Sequence, residues 1–249
     1  MFYAINKKHA FTIFILAIIV MLSPILGSKI VSTVSTKNRS LPIYSVDTDE
    51  NKIAISFDCA WGTEYTDKLL ELFEKENIKV TFFMVEFWAK KHPDFVKKIS
   101  EMGHEIGTHS STHSYMSKMS EENIVKELNS SSKVIEDITG KKVNLFRAPY
   151  GDYNNRLIDT ASSLGFYTIQ WDVDSLDWKD ISKDEIYNRV IKKTKNGSIV
   201  LFHNNGLHTV EAVEKLIPYL KERYEIVPIG ELIYKENYFV NSLGVQIKK

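Results

Sequence analysis

From Lys52 onward two kinds of apolar pattern alternate along the chain, and this alternation constrains the fold more than any other feature. Short, nearly continuous apolar runs read as buried strands: Lys52–Asp58, Val80–Val85, Leu145–Pro149, Tyr167–Val173, Ser198–His203 and Tyr224–Ile229, with Glu105–His109 shorter and strand-like. Between them apolar residues recur three and four apart, the spacing of one helix face. The stripes are Leu69, Leu70 and Phe73; Phe95, Val96, Ile99 and Met102; Ile124, Val125, Leu128, Ile135 and Ile138; Leu157, Ile158, Ala161 and Leu164; Ile186 and Val190; and Val213, Leu216, Ile217 and Leu220. Gly103, Gly140 and Gly165 stand where helices should stop, and Ser182 with Glu185 reads as a capping box. Pro218 is an awkward interior residue of the last long helix. About seven strands alternating with about six helices predict βαβ units around a parallel sheet covered on both faces.

The ends of the chain read differently. Lys7 and Lys8 precede an uncharged apolar run from Ala10 to Gly27. Residues 1–27 are therefore expected to be a signal peptide or membrane anchor, with the N-terminus cytoplasmic and the rest exported. Ile25-Leu26-Gly27 lacks the small-x-small pattern of a cleavage site, which favours an anchor. The expected location is the extracytoplasmic face of the membrane, or outside the cell if the segment is cleaved. Residues 28–45 read as a polar linker, with a short strand over Pro42–Val46, and residues 46–233 as the folded domain. Residues 234–249 are left as a C-terminal extension, aromatic and then basic, with no element assigned. Lys plus Arg total 32 and Asp plus Glu total 32, so no basic excess points to nucleic acid. The single cysteine, Cys59, excludes an internal disulfide and a cysteine-built structural zinc site.

Polar residues gather where the strands end: Asp58, His109, Arg147, Asp174 and His203. In parallel α/β barrels that rim carries the active site. His109 and His113 lie four apart, one turn of a helix, a spacing that offers two imidazoles to a divalent metal. Asp58 reads as a metal ligand or general base, or else as a helix N-cap. Arg147 suits tethering a carboxylate, or a surface ion pair. Asp177 beside Trp178 fits a carboxylate near an apolar wall, or an ordinary loop. His203 alone would be a satisfied core histidine.

Together and in this order, five stretches resemble the motif set of the polysaccharide deacetylase family, also called the NodB-homology or carbohydrate esterase family 4 domain. They are Ser56–Gly62, His-Ser-x-x-His at His109–His113, Arg-x-Pro-Tyr at Arg147–Tyr150, Asp-x-x-Asp-Trp at Asp174–Trp178 and Leu-x-His at Leu201–His203. The resemblance runs from about Lys52 to Ile233 and is nearest to membrane-anchored members of spore-forming bacteria. It implies a distorted (β/α) barrel of about seven parallel strands. It also implies metal-dependent hydrolysis of N-acetyl groups on a β-linked N-acetylhexosamine polymer such as peptidoglycan or chitin. Asp58 matches the general base, His109 and His113 two metal ligands, and Arg147 the residue that holds the base. Tyr150 matches the residue whose backbone N–H meets the oxyanion, Asp177 the carboxylate that orients the acid, and His203 the acid itself. Trp61, Tyr150, Trp171 and Trp178 offer rings for stacking on sugars or for core packing.

One position departs from the pattern. The first motif usually has two adjacent aspartates, the second binding metal, and here that position is Cys59. Three readings follow. Cys59 ligates in a Cys-His-His-water set, which would select zinc because a thiolate is soft; or it is inert and the histidines, with or without Asp58, hold metal weakly; or the site is empty. The competing function, of a different class, is a non-catalytic glycan-binding or spore-assembly protein that keeps the fold.

Overall fold

Strands β1 (Ser45–Val46), β2 (Lys52–Cys59), β3 (Thr81–Met84), β4 (Glu105–Thr108), β5 (Leu145–Phe146), β6 (Tyr167–Thr168), β7 (Val173–Asp174), β8 (Ile199–His203) and β9 (Glu225–Ile226) alternate with helices in this computed structural model. It describes residues 39–249, and the apolar run at 10–27 lies outside them. Among the described residues no helix is long and apolar enough to cross a membrane.

The main sheet has the order β6-β5-β4-β3-β2-β8-β7, every pairing parallel, with β9 added beside the start of β2. β6 and β7 are neighbours in sequence but opposite edges of this order. Only residues 169–172 join them, a link that spans at most about 18 Å. The sheet must therefore curl until its edges approach, giving the expected distorted barrel. The same fact corrects the sequence reading: Tyr167–Val173, expected as one strand, is two short ones on either side of the seam. Ile43 lies in that seam, taking the Gln170 amide and donating its own to Thr168.

Alternation along β2 sorts the core into two layers. Ile53, Ile55, Phe57 and Cys59 face the helices, where Phe57 stacks between Phe82 and Phe202 with centroids 5.5 Å away on each side. Ala54 faces the barrel interior with Phe83, Leu145, Ile169 and Ile199, and Ser56 and Asp58 share its side of the strand. The six expected helices are Thr66–Lys75, Pro93–Glu101, Glu121–Thr139, Asn155–Ser163, Lys183–Lys193 and Thr209–Lys221. Gly140 closes the third in the left-handed conformation, the Ser182–Glu185 capping box opens the fifth, and the last runs through Pro218. A short helix, Glu86–Lys91, was not expected; it buries Trp88, whose indole N–H donates to the Gly62 carbonyl at 2.8 Å.

The C-terminal residues form strands β10 (Tyr238–Val240) and β11 (Val245–Lys248), an antiparallel hairpin, and β11 pairs in parallel with β1. Residues 40–249 make one compact unit, so Ser40–Ser45 of the expected linker and the whole of the tail belong to it.

Candidate active site

Because the strands of the main sheet run parallel, their C-terminal ends converge on one rim. β2 delivers Asp58, β4 leads into His109, β5 into Arg147, β7 into the turn bearing Asp177, and β8 ends on His203. Register places Asp58 beside His203 across the β2–β8 pairing.

Asp58 and Arg147 form a buried ion pair: Arg147 Nη1 donates to Asp58 Oδ1 at 2.8 Å. Arg147 Nη2 donates to Ser56 Oγ and to the Gln170 carbonyl, and its guanidinium lies 4.1 Å over the Phe83 ring. Burial alone would raise the Asp58 pKa, but the charges of His109, Arg147 and His203 outweigh it and the net direction is down. Near neutral pH the counter-ion is Arg147, because burial pushes the His109 pKa down. The surface ion pair considered for Arg147 is excluded, since the side chain is fully buried.

His109 Nδ1 is 2.8 Å from the Arg147 carbonyl, so that nitrogen carries the proton and Nε2, 3.5 Å from Asp58 Oδ2, presents a lone pair. The His113 ring packs 5.0 Å from that of His109, with Trp61 and Tyr150 edge-on at 4.8 and 4.7 Å. Burial, and then the neighbouring His109, push His113 down to about 4. Both imidazoles are thus neutral at neutral pH.

The two histidines do meet, but not as one turn of a helix. Residues 109–115 form a loop in which Ser110 and His113 take left-handed φ of 73° and 54°. Such backbone persists only where its surroundings fix it. The fixing group is Glu127, on the buried face of the helix Glu121–Thr139: its carboxylate accepts the Ser111 and Thr112 amides at 2.8 and 2.9 Å and the Thr112 hydroxyl at 2.9 Å. Glu86 accepts from the Ser111 hydroxyl, and Ser110 Oγ accepts the His113 amide. Sequence reasoning missed Glu86 and Glu127. The available signal was Glu127 itself, an acidic residue beside Leu128 on an apolar stripe.

On the other side of the rim, Asp177 is fully buried and His203 Nδ1 lies 2.8 Å from its Oδ1. Burial opposes charge on His203, yet the hydrogen bond to Asp177 and its attraction prevail, and the His203 pKa is raised. Trp61, Tyr150 and Trp178 are more than half exposed, while Trp171 is partly covered and packs against the inner core and Arg147. Tyr115, also missed, stacks on Tyr150 with centroids 4.4 Å apart and extends that aromatic wall. Tyr150 sits at a left-handed φ of 61°, in a turn after Pro149.

The structure does not bring Cys59 to the histidines. Its side chain lies with Phe57 in the helix-facing core, fully buried, and burial pushes the thiol pKa well up, with the Asp58 charge adding to it. Among the described residues no three His, Cys, Asp or Glu side chains are grouped to hold a metal ion. Two neutral imidazoles suit a divalent cation, but the side chains present do not complete a three-ligand centre.

A family model for polysaccharide deacetylase matches residues 45–169. The chain is 35% identical to a peptidoglycan-N-acetylglucosamine deacetylase of Bacillus cereus, over 76% of this chain and 92% of that one. It is 34% identical to the uncharacterized protein YlxY of Bacillus subtilis, over 77% of this chain but 60% of that protein's length. A crystal structure of BA3943 of Bacillus anthracis, described as a CE4 family pseudoenzyme, superposes with a TM-score of 0.74 at 35% identity, over 77% of this chain and 68% of that one. A BA3943 mutant described as having restored enzymatic activity superposes equally well at 36% identity. The fold, the order of the motifs and these likenesses agree: the chain belongs to the polysaccharide deacetylase family, carbohydrate esterase family 4.

Proposed function

We propose that this chain removes N-acetyl groups from N-acetylhexosamine residues of a peptidoglycan-like polysaccharide. The observation that carries the reading is the pairing of two opposed groups on one rim: Asp58, held ionised by Arg147, and His203, held protonated by Asp177. Amide hydrolysis needs such a pair. Asp58 takes a proton from the attacking water as its oxygen bonds to the acetyl carbon. His203 gives a proton to the nitrogen as the carbon–nitrogen bond breaks, releasing acetate and a free amine. The Tyr150 amide is assigned to the oxyanion, and the exposed rings of Trp61, Tyr150 and Trp178 to the sugar.

Members of the family are generally metal-dependent. In this chain His109 and His113 are the residues that would hold a divalent metal, and zinc is our assignment for an imidazole site. With Cys59 turned away, the steps above are written on the chain's own side chains. We place the domain on the outer face of the cell membrane, on the strength of Lys7, Lys8 and the apolar run that follows.

A second reading rests on one specific observation, the burial of Cys59 away from the histidines together with the likeness to BA3943. In it the chain binds glycan without turnover. Acetate release from peptidoglycan and from N-acetylated chito-oligosaccharides, with zinc supplied, tests both. We expect release by the natural protein, reduced roughly a hundredfold to ten-thousandfold in His203→Ala. A silent natural protein beside an active Cys59→Asp variant would establish the second reading. Silence of both would overturn the deacetylase reading.

A further inference from the structure

The acid side of the rim contains a buried residue with no part in the reaction as written. Thr209 opens the helix Thr209–Lys221, is fully buried, and its hydroxyl donates to Asp177 Oδ2 at 2.6 Å. The same oxygen accepts the backbone N–H of His203 at 2.8 Å, while Oδ1 faces His203 Nδ1. Asp177 has no solvent exposure, so protein groups alone must meet its charge. Those groups are the His203 imidazole, the His203 amide, the Thr209 hydroxyl and the positive end of the helix that Thr209 begins. Only the hydroxyl can be removed without touching His203 or the backbone.

Gly206 makes room for this contact. A side-chain carbon at Gly206 would collide with the Thr209 hydroxyl and press on the Asp177 carboxylate. The Thr209 amide donates to the Gly206 carbonyl at 3.2 Å, which folds the turn back over Asp177. The other titratable groups that act on His203 are Asp58 on β2 and Asp174 on β7, with His109 and His113 across the rim.

We propose that Thr209, in the space left by Gly206, is a positioning residue for His203: it locks the Asp177 carboxylate in the orientation that grips both the amide and Nδ1 of that histidine. Held so, His203 keeps its Nδ1 proton toward Asp177 and turns Nε2 to the rim, where a leaving amine must receive its proton. Without the hydroxyl, Oδ2 would keep only the His203 amide as donor, and the carboxylate, with the imidazole it holds, would be less firmly fixed. The inference rests on reading His203 as the acid, but its test requires no turnover.

The imidazole nitrogens of His203 are followed by NMR across pH in the full chain, in the natural protein, Thr209→Val, Thr209→Ser and Gly206→Ala. A hydrogen bond to a charged acceptor is worth enough to move a coupled titration by roughly one pH unit. We expect the His203 midpoint to fall by about that much in Thr209→Val, with loss of the single Nδ1–H tautomer, and to stay near its natural value in Thr209→Ser. Gly206→Ala, which keeps the hydroxyl but displaces it, should behave like Thr209→Val. A folded Thr209→Val whose His203 midpoint and tautomer match the natural protein overturns the proposal. Should Thr209→Val not fold, a Gly206→Ala protein with natural His203 signals does the same. Acetate release is read in parallel. A protein inactive throughout, yet with the midpoint shift, would lose the deacetylase reading and keep the positioning role. An active protein without the shift would do the reverse.

Discussion

At the scale of single residues, the site turns on two neighbours that face opposite ways. Asp58 points to the rim and Cys59 into the helix-facing core, as strand alternation requires. Cys59→Ser should therefore leave the zinc affinity of the His109–His113 pair unchanged, as read by calorimetry. It should cost stability of roughly 1–3 kcal/mol, because a hydroxyl is buried among apolar groups. A large fall in zinc affinity would return Cys59 to the ligand set. Arg147 has no solvent to fall back on, and its loss strands the Asp58 charge. Arg147→Met should lower the urea-unfolding free energy by roughly 3–5 kcal/mol, and adding Asp58→Asn should recover much of it. Equal stability of the single and natural proteins would show that the pair carries no net charge compensation.

At the scale of elements, the loop 109–113 depends on a carboxylate from the next helix, Glu121–Thr139. Glu127→Ala removes the acceptor for the Ser111 and Thr112 amides, so hydrogen exchange at those two positions should speed up sharply, while Glu127→Gln should lose less. Unchanged exchange in the alanine variant would mean that Glu86 and Ser110 suffice to hold the loop. This loop also marks where sequence reading fails. The helical stripes were legible as a repeated spacing and the buried strands as unbroken apolar runs, and the helix stop at Gly140 and start at Ser182 because each is local chemistry. The conformation of residues 109–113 is set by two left-handed residues and a carboxylate from another element, and no local pattern encodes that. Tyr167–Val173 misled for a related reason. Its apolar run is continuous, and only closure of the barrel divides it between two sheet edges. That Asp58, His109, Arg147 and His203 share one rim was legible because each stands at or just after the end of a parallel strand, whereas the facing of Cys59 depended on which side of β2 lines the interior.

At the scale of the whole molecule, acid and the C-terminal tail each probe how the barrel is held. His104 is buried against the rings of Phe73 and Phe82, at 5.6 Å from each. Burial, and then Lys79, push its pKa down to about 4. Since a free histidine titrates near 6.5, the unfolded chain binds more protons between these values, and stability falls as pH drops from about 6.5 to about 4. His104→Asn keeps an acceptor for the Val80 amide and removes this titration, so unfolding measured from pH 7 to pH 4.5 should show a shallower decline. An identical slope would place the acid sensitivity elsewhere, His113 included. The tail gives the larger test. Gln246 on β11 is fully buried, accepts the Tyr234 amide at 2.9 Å and donates to the Tyr234 carbonyl at 2.8 Å, and β11 is the parallel partner of β1. Ile43, two residues before β1, in turn bridges Ile169 at the barrel seam. Ending the chain at Ile233 should therefore loosen the seam rather than trim an appendage. We expect the melting temperature to fall by about 5–15 °C, corresponding to roughly 2–4 kcal/mol, with faster amide exchange at Ile43 and Gln170. A truncated chain that melts where the natural protein does, with both amides still protected, would show that the Ile43 bridge closes the barrel without help from the tail.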